Sequence, residues 1–394
     1  MSINGTYQPG RHFLQIPGPS NVPESVLRSM AQPVIDHRGP EFPALTFRLL
    51  EKLAPVFNTE SSIFIYPASG TGGWECALLN CLSPGDKVLA FETGHFATLW
   101  KEVAEKLGLH ILWIPGDWRH GVDPSVVEEE LSEDSKHEIQ AVLAVHTETS
   151  TGVTSRISDI RRAIDKVSHP ALLMIDAVSS LACTEFLHDD WGVDVTVSAS
   201  QKGLMLPPGL SFNAVSEKAL ARSRVNQSHH SYWQWEAMAS NNAKGYFPYT
   251  PSTNLLYGLD EALNLLLAEG LEEVFARHSR LAAATRAAVN AWGLENVCMN
   301  SAEYCNSTTA VFVPEGFDAD DLRAIIRERF NMSLGTGLGK LKNRIFRIGH
   351  IGDFNDLMLT ATLTGVEMAL RVADLPHQSG GVNAAMQYLA ENAA

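Results

Sequence analysis

The chain has 394 residues, of which 45% are hydrophobic and 19% charged, and 30 Lys and Arg against 45 Asp and Glu give a net charge of −15. This composition is typical of a globular protein with two or three domains. The negative charge disfavours a nucleic-acid surface, which needs a basic patch, and no apolar run approaches the roughly 20 residues of a membrane span. We therefore expect neither a nucleic-acid nor a membrane partner.

The cysteine content argues for a reducing compartment. Five cysteines, without a C-x-x-C pair, predict neither a disulfide framework nor a zinc cage, and we expect no metal site. The polar stretch Met1–Arg11 lacks the charged and then apolar order of a signal peptide. We expect a cytoplasmic protein.

Short apolar runs alternate with segments of helical composition through the first half of the chain. Runs that are apolar on both faces are typical of strands in a parallel sheet that helices cover. The predicted strands are Ser62–Tyr66, Lys87–Phe91, Ile111–Ile114, Ala141–His146, Ala171–Asp176 and Val193–Ser198. The predicted helices include Trp74–Leu82, Leu99–Leu107 and Ile157–Val167. Strand followed by helix, repeated, predicts a doubly wound, mainly parallel α/β domain.

After about Thr250 the pattern changes to long helices. Apolar residues from Leu259 to Leu267 follow the spacing of one buried helix face, and Gly270 is a suitable end for that helix. The later predicted elements are helices Leu271–Trp292, Asp320–Phe330 with an Asp318 cap and Leu357–Leu370, and strands Thr308–Val313 and Ile345–Ile348. We predict an N-terminal arm over residues 1–22, a large domain over 23–270 and a smaller C-terminal α+β domain over 271–394.

A glycine-rich loop, Ser69-Gly70-Thr71-Gly72-Gly73, lies between a predicted strand and a predicted helix. Glycine lets backbone N–H groups approach an anion, the helix N-terminus adds a positive end, and the two hydroxyl groups add donors. The loop lacks the Lys-Ser/Thr ending of a Walker A motif and the spacing of a dinucleotide fingerprint. It is a candidate phosphate site, with an ordinary strand-to-helix turn as the alternative.

Two charged residues follow predicted buried strands. Asp176 ends a strongly apolar run, where a carboxylate either caps a turn or binds a cationic group such as a protonated pyridine nitrogen. Lys202 follows the predicted strand Val193–Ser198. A lysine with a lowered pKa forms Schiff bases with aldehydes, whereas a loop lysine is ordinarily only solvated.

The order of these features along the chain is more specific than any one of them. The glycine-rich loop is followed by an aromatic residue at Phe96, a polar turn at Thr147, Glu148 and Thr149, and then Asp176 and Lys202. Pyridoxal phosphate needs a phosphate cradle, a ring stack, a hydrogen bond to its 3′-oxygen, a partner for its ring nitrogen and an amine for its aldehyde. In an α/β sheet such groups meet beyond the carboxyl ends of the strands.

At these positions the chain resembles the class V aminotransferases of fold type I, and among them the serine–, alanine– and aspartate–glyoxylate aminotransferases. The resemblance runs nearly end to end. It rests on the motifs Pro17–Pro23, Ser69–Glu75, Ser83–Asp86, His146–Gly152, Asp190–Asp194, Ser200–Gly203, Pro207–Gly209, Pro248–Pro251 and Phe346–Gly349. It implies a pyridoxal-phosphate enzyme with a large doubly wound domain and a smaller C-terminal domain.

The resemblance also implies a role for each matching residue. Lys202 would be the Schiff-base lysine and the base that moves a proton between the substrate Cα and the cofactor C4′, and Asp176 would keep the pyridine nitrogen protonated. Arg347 would bind the substrate α-carboxylate as a bidentate fork. The other implied cofactor contacts are to the phosphate from Ser69, Gly70, Thr71 and Gln201, to the 3′-oxygen from Thr149 and to the ring face from Phe96.

Two further contributions are implied to come from the second subunit of a homodimer. Thr250 is expected to reach the phosphate, with Tyr249 as a candidate helper because Phe247 stands where some relatives have a phosphate-binding Tyr. His37 and Arg38 match a pair that enters the neighbouring site and touches the side chain of the amino donor. A surface ion pair is the alternative for Arg38.

The resemblance implies transfer of the amino group of a small L-amino acid to glyoxylate, which gives glycine and a 2-oxo acid. Serine is the first expected donor; aspartate, whose second carboxylate Arg38 could bind, and alanine follow. The alternatives are another class V reaction, such as that of a cysteine desulfurase or a lyase, and a catalytically silent binding protein of this fold. Gln201 argues against the desulfurases, which carry His before the lysine, and the presence of Lys202 and Asp176 argues against a silent protein.

Overall fold

The computed structural model describes residues 9–226, 228 and 231–393. Its strands are β1 (Phe13–Gln15), β2 (Ser62–Tyr66), β3 (Lys87–Phe91), β4 (His110–Ile114), β5 (Ile139–Val145), β6 (Thr147–Glu148), β7 (Val153–Thr154), β8 (Leu172–Asp176), β9 (Val195–Ala199), β10 (Ser211–Val215), β11 (Thr308–Phe312), β12 (Met332–Thr336) and β13 (Ile345–Gly349). Its helices are α1 (Glu24–Met30), α2 (Phe42–Phe57), α3 (Gly70–Cys81), α4 (His95–Lys106), α5 (Pro124–Glu133), α6 (Ile157–Lys166), α7 (Glu217–Val225), α8 (Trp235–Asn242), α9 (Thr253–Glu269), α10 (Leu271–Ala291), α11 (Ala319–Phe330), α12 (Asp356–Val372) and α13 (Gly381–Glu391).

Seven strands form the large sheet in the order β2-β10-β9-β8-β5-β3-β4. Strands β3, β4, β5, β8 and β9 pair in parallel, and β10 runs antiparallel to both β9 and β2. Every residue of β8 and β9 is buried, as expected for central strands that are apolar on both faces. This topology confirms the predicted doubly wound, mainly parallel α/β domain.

A four-stranded sheet in the order β1-β12-β13-β11 forms the centre of the smaller domain. Its core contains the fully buried Trp292 together with apolar side chains of α10, α11, α12 and α13. The predicted ends of the helices are confirmed at two positions. Gly270, with a φ of 88°, separates α9 from α10, and the Asp318 carboxylate caps α11 by accepting from Asp320 N at 2.7 Å.

Several elements differ from the sequence-based expectations. Helix α4 begins at His95 rather than Leu99, and β9 covers Val195–Ala199 rather than Val193–Ser198. Strand β10 is missing from the prediction because Ser211 and Asn213 interrupt its apolar character, although both side chains are fully buried. Strand β1 lies within the predicted N-terminal arm and pairs with β12, a partner that the local sequence cannot indicate. The predicted domain boundaries stay predictions.

Candidate active site

The reactive side chains predicted from the sequence follow strands that end at one edge of the large sheet. Asp176 ends β8, Lys202 follows β9 after a short turn, and Thr149 follows β5 and β6. Strand β2, which runs in the same direction because β10 is antiparallel to both of its neighbours, leads into α3. The topology therefore brings these groups together where ligands bind in α/β sheets.

The glycine-rich loop forms the start of α3. Ser69 is extended, with a φ of −92° and a ψ of 171°, and its side chain makes no capping bond to the helix. A Cβ at Gly70 would lie 2.9 Å from Val178 Cγ2, and a Cβ at Gly73 would lie 2.3 Å from Ser211 Oγ. Glycine at both places lets the helix start close to the sheet, while the Ser69 and Thr71 side chains stay exposed. A helix N-terminus with free hydroxyl groups is suited to a phosphate.

Asp176 is a buried acid with few donors around it. Its side chain is almost completely buried. Among the described residues, Val178 N donates to Oδ1 at 2.7 Å, and the Trp74 side chain lies near enough to lower the pKa of the acid. Its pKa is raised to about 7, mainly by burial and also by the charge of Glu148, against the lowering effect of the Val178 N–H. An acid in this state gains from a cationic donor, which would hold it ionised.

Lys202 is buried and held against the N-terminal segment. Its Nζ donates to the carbonyl oxygen of Pro17, and Ser20 Oγ donates to the Lys202 carbonyl at 2.9 Å. Gly18 is required here, since a Cβ would lie 2.5 Å from Lys202 Cδ and φ is +109°. Burial, assisted by the charge of Arg347, lowers the pKa of Lys202 to about 8. A fraction of the amine is therefore uncharged near neutral pH and can act as a nucleophile or a base.

Arg347 lies on β13 with only 6% of its surface exposed. Its Nε donates to the Thr336 carbonyl at 2.8 Å and its Nη1 to the Thr149 carbonyl at 2.9 Å. Within residues 9–226, 228 and 231–393, no acidic side chain forms an ion pair with it. Burial lowers its pKa to about 10, an effect that the charge of Glu148 opposes. A buried guanidinium held only by carbonyls has capacity for an external carboxylate.

Thr149 lies in the turn after β6, and Phe96 lies at the start of α4. Thr149 is buried, and its hydroxyl is 2.6 Å from the Ser179 hydroxyl. Phe96 is the second residue of α4, is half-buried, and has its ring centroid 5.6 Å from that of His95. Gln201 precedes the lysine, and its Oε1 is buried without a hydrogen-bond partner among the residues that the structure describes.

The four residues predicted to serve a second subunit form a separate group. His37 Nε2 lies 3.4 Å from Thr250 Oγ1, although the two are 213 residues apart. Tyr249 stacks on Tyr232 with ring centroids 4.4 Å apart. Arg38 is exposed, and its backbone N–H donates to Asp36. In the described part of the chain, no hydrogen bond or ion pair joins any of the four to Lys202, Asp176 or Arg347.

Three contacts at this site are missing from the sequence-based prediction. The sequence places Glu148 only in a polar turn, although it follows an apolar strand just as Asp176 does, and that position is the available signal. Ser179 stands in the turn after Asp176 and bonds to Thr149. The Pro17 carbonyl, which accepts from Lys202, is a main-chain group and leaves no signal in the sequence.

The described residues contain neither a membrane-spanning helix nor a metal site. No helix there has both the length and the apolar character needed to cross a membrane. No group of three or more His, Cys, Asp and Glu side chains in that part of the chain is arranged to hold a metal ion.

Comparison with known proteins gives consistent results over nearly the whole chain. The family model described as aminotransferase class-V matches residues 12–340. The chain is 47% identical to a serine–glyoxylate aminotransferase of Methylorubrum extorquens, over 98% of each chain, and 43% identical to an L-aspartate–glyoxylate aminotransferase of Paracoccus denitrificans, over 96% of each. A crystal structure of pyridoxamine–pyruvate aminotransferase from Mesorhizobium loti superposes with a TM-score of 0.91, at 30% identity and over 97% of each chain. The chain therefore belongs to the class V aminotransferases, as its motifs predicted.

Proposed function

We propose that this aminotransferase moves the amino group of a small L-amino acid to glyoxylate, which gives glycine and a 2-oxo acid. Serine is the first expected donor, followed by aspartate and alanine. The main support for the proposal is the environment of Arg347. It is a buried cation without an acidic partner among the described residues. Its charge helps to lower the pKa of the Lys202 amine. One carboxylate clamp beside the reactive amine suits glyoxylate, which has no side chain to accommodate. The serine–glyoxylate and aspartate–glyoxylate relatives support this choice of acceptor.

The site fits pyridoxal phosphate. The uncapped start of α3 and the Gln201 side-chain NH2 group, a hydrogen-bond donor, suit the phosphate region. In the described part of the chain, the Asp176 carboxylate has only Val178 N and the Trp74 side chain as donors, and it has capacity for a protonated ring nitrogen. The residues that would hold the cofactor are Ser69, Gly70, Thr71 and Gln201 at the phosphate, Thr149 at the 3′-oxygen, Phe96 at the ring face, Asp176 at the nitrogen and Lys202 at the aldehyde. When bound, the cofactor withdraws electrons from the Cα of the amino acid.

The protein's own groups then have distinct tasks. Arg347 binds the α-carboxylate of the amino acid and, in the second half of the exchange, the carboxylate of glyoxylate. Lys202 would take the proton from Cα with its uncharged amine and return it at C4′. Asp176 would hold the ring nitrogen of the cofactor in its protonated form by staying ionised.

We further propose a homodimer in which each site is completed by the other subunit. Thr250 and Tyr249 would contribute to the phosphate of the neighbouring site, and His37 and Arg38 would contact the side chain of the amino donor. The proximity of His37 to Thr250 supports the idea that both cross the interface at one place. A second carboxylate at Arg38 would favour aspartate, so this residue is the proposed determinant between serine and aspartate.

We also propose that the enzyme acts in the cytoplasm on small amino acids and 2-oxo acids. All five cysteines are free, which suits a reducing compartment. The net charge of −15 makes a nucleic-acid partner unfavourable.

The test is a half-reaction screen on the enzyme loaded with pyridoxal phosphate. The protein is mixed separately with L-serine, L-aspartate, L-alanine and L-cysteine, and loss of the visible absorbance of the cofactor is followed together with formation of pyridoxamine phosphate. Glyoxylate is then added. We expect bleaching with serine, then recovery of colour and formation of glycine. No bleaching with any donor, or release of sulfide from cysteine, would contradict the proposal.

Three variants assign the roles and the subunit arrangement. Lys202→Ala should lose the visible absorbance of the bound cofactor, whereas Arg347→Ala should keep it but bleach only at much higher donor concentration. A mixture of Lys202→Ala with Thr250→Val, denatured and refolded together, should regain part of the activity, because one site of a mixed dimer has both native residues. Recovery no greater than the sum of the separate variants would argue against shared sites.

A further inference from the structure

Glu148 is a buried acid to which the proposed mechanism gives no task. It ends β6, directly before Thr149, and has 1% of its surface exposed. Its Oε1 accepts from Ser150 Oγ at 2.6 Å, from Ser150 N at 3.1 Å and from Phe96 N at 3.3 Å, and its Oε2 accepts from Ala97 N at 3.0 Å. Four donors on one buried carboxylate satisfy it without any ligand.

Two of these donors belong to the first turn of α4. The first N–H groups of a helix have no partner within the helix and make its N-terminus positive. Phe96 N and Ala97 N both donate to Glu148, and His95 N donates to Ser150 Oγ at 2.9 Å. The α4 N-cap, Gly94, has no side chain of its own to perform this task. The start of the helix is therefore fixed by a residue 51 positions along the chain.

The approach of Glu148 to this helix depends on Gly94. A Cβ at Gly94 would lie 2.3 Å from Glu148 Cγ and 2.6 Å from Ser150 Oγ. Its φ of 166° is extended backbone that any residue adopts, so the requirement for glycine here is one of space alone. An alanine at this position would have to push the carboxylate away from the helix.

Glu148 is also connected to Arg347, through the main chain of the next residue, Thr149. Thr149 follows Glu148 in the chain, and its carbonyl accepts from Arg347 Nη1. The charge of Glu148 also opposes the lowering of the Arg347 pKa by burial. Glu148 thus joins the helix that carries Phe96 to the turn that carries Thr149.

We propose that Glu148 is a positioning residue, which holds the ring of Phe96 and the hydroxyl of Thr149 in the positions needed to bind the cofactor. The inference rests on the proposed function, because it takes Phe96 as the residue that stacks on the pyridine ring and Thr149 as the donor to the 3′-oxygen. Glu148 itself touches neither substrate nor cofactor in this proposal.

The main test is Glu148→Gln. The amide keeps the shape but replaces one acceptor oxygen by a donor, so either Ala97 N or the Phe96 and Ser150 donors lose their partner. Loss of hydrogen bonds to a buried charge should weaken the affinity for pyridoxal phosphate by about ten-fold to a hundred-fold. The visible circular dichroism of each bound cofactor, which reports how its ring is held, should also fall. Titration of cofactor-free protein measures both quantities.

Three other variants separate positioning from general stability. Asp194→Asn is the matched control, since Asp194 is also a buried acid and accepts from Leu173 N and Ser216 Oγ near the starts of β8 and β9. It should lower the unfolding temperature without changing the dichroism per bound cofactor. Ser150→Ala keeps both carboxylate contacts to α4 and should have a smaller effect than Glu148→Gln. Gly94→Ala should repeat the loss seen in Glu148→Gln, and it serves if that variant fails to fold.

A double-mutant cycle with Phe96→Ala separates the positioning role of Glu148 from the role proposed for Phe96 in cofactor binding. If Glu148 acts through Phe96, Glu148→Gln should weaken cofactor binding much less in the Phe96→Ala background. An unchanged affinity in Phe96→Ala alone would remove the role proposed for Phe96. The positioning role would be overturned if Phe96→Ala clearly lost affinity for the cofactor while Glu148→Gln and Gly94→Ala both kept wild-type affinity and dichroism. The proposed function would be unaffected by that result.

Discussion

Two buried carboxylates at the same edge of the large sheet differ in how far the protein satisfies them. Among the described residues, the Glu148 carboxylate accepts four hydrogen bonds from α4 and from Ser150, whereas the Asp176 carboxylate accepts one from Val178 N and has only the Trp74 side chain as a further donor nearby. Both side chains are almost completely buried. A buried acid that the protein has saturated holds the structure, whereas one left with spare acceptor capacity is available to a ligand.

The charge of Glu148 also acts on Asp176. Burial is the main reason that the pKa of Asp176 rises to about 7, and the charge of Glu148 adds to the rise. Without a cationic ligand, the saturated acid therefore pushes the unsaturated one towards its protonated form. A protonated ring nitrogen at Asp176 would reverse this, because it favours the ionised carboxylate.

The largest expected effect comes from replacing the unsaturated acid. Asp176→Asn keeps the shape but cannot carry the charge that holds the ring nitrogen protonated. Loss of one preorganised electrostatic contact in a water-poor site should lower the rate of the first half-reaction by about a hundred-fold to a thousand-fold. Stopped-flow absorbance with serine and cofactor-loaded protein measures it. Asp194→Asn is the control, and a similar rate in both variants would mean that Asp176 has no special role.

The pH dependence of stability in cofactor-free protein tests whether Asp176 is an unsatisfied acid. The pKa of Asp176 is raised from an ordinary 3.8 to about 7, so between these values the folded state holds a proton that the unfolded state has released. The contribution of Asp176 to stability should therefore fall as pH rises from about 4 to about 7, by at most about 1.4 kcal/mol per pH unit, and stay level above pH 7.

The measurement is the difference in free energy of unfolding between wild type and Asp176→Asn, taken from urea titrations at several pH values. Groups common to both proteins cancel in this difference. A difference that stays constant from pH 4 to pH 8, or one that increases with pH, would show that Asp176 is ionised throughout and is not the unsatisfied acid described above.

The sequence indicates those site residues whose signals are local or follow from the sheet topology. Asp176 and Lys202 were predicted because each follows an apolar run, and the ends of such runs meet at one edge of a parallel sheet. The Asp318 cap and the end of α9 at Gly270 were predicted because their signals are local. The comparisons confirm the family resemblance, and the roles that it implies for the other site residues stay predictions.

What the sequence could not indicate depends on contacts between distant segments. The start of α4 was placed at Leu99 instead of His95 because the groups that cap it, Glu148 and Ser150, lie in another part of the chain. Strand β1 was predicted as part of an arm because its partner β12 lies at the other end of the sequence. Strand β10 was missed because Asn213 is buried there as a polar residue bonded to backbone carbonyls.

A third prediction concerns stability at the saturated acid. In cofactor-free protein, Glu148→Gln should lower the free energy of unfolding by about 1–3 kcal/mol, because a buried N–H group of α4 is left without its acceptor. Asp176→Asn should cost nothing or stabilise the same protein near neutral pH, since it removes a desolvated charge. Urea titrations of both variants at pH 8 give the two values. Equal losses in the two variants would show that saturation does not distinguish the acids.

The smallest expected effect tests the hydroxyl pair that links the two acid-bearing turns. Thr149 follows Glu148, and its hydroxyl lies 2.6 Å from that of Ser179, in the turn after Asp176. Ser179→Ala should remove one buried hydrogen bond and weaken pyridoxal phosphate binding by about two-fold to ten-fold. Ser180→Ala is the matched control, because the neighbouring Ser180 Oγ is buried without a hydrogen-bond partner among the described residues. Titration of both variants with the cofactor measures this loss of affinity. If Ser180→Ala weakens cofactor binding as much as Ser179→Ala does, Ser179 does not hold the Thr149 hydroxyl for the cofactor. The turn after Asp176 then acts only through its packing.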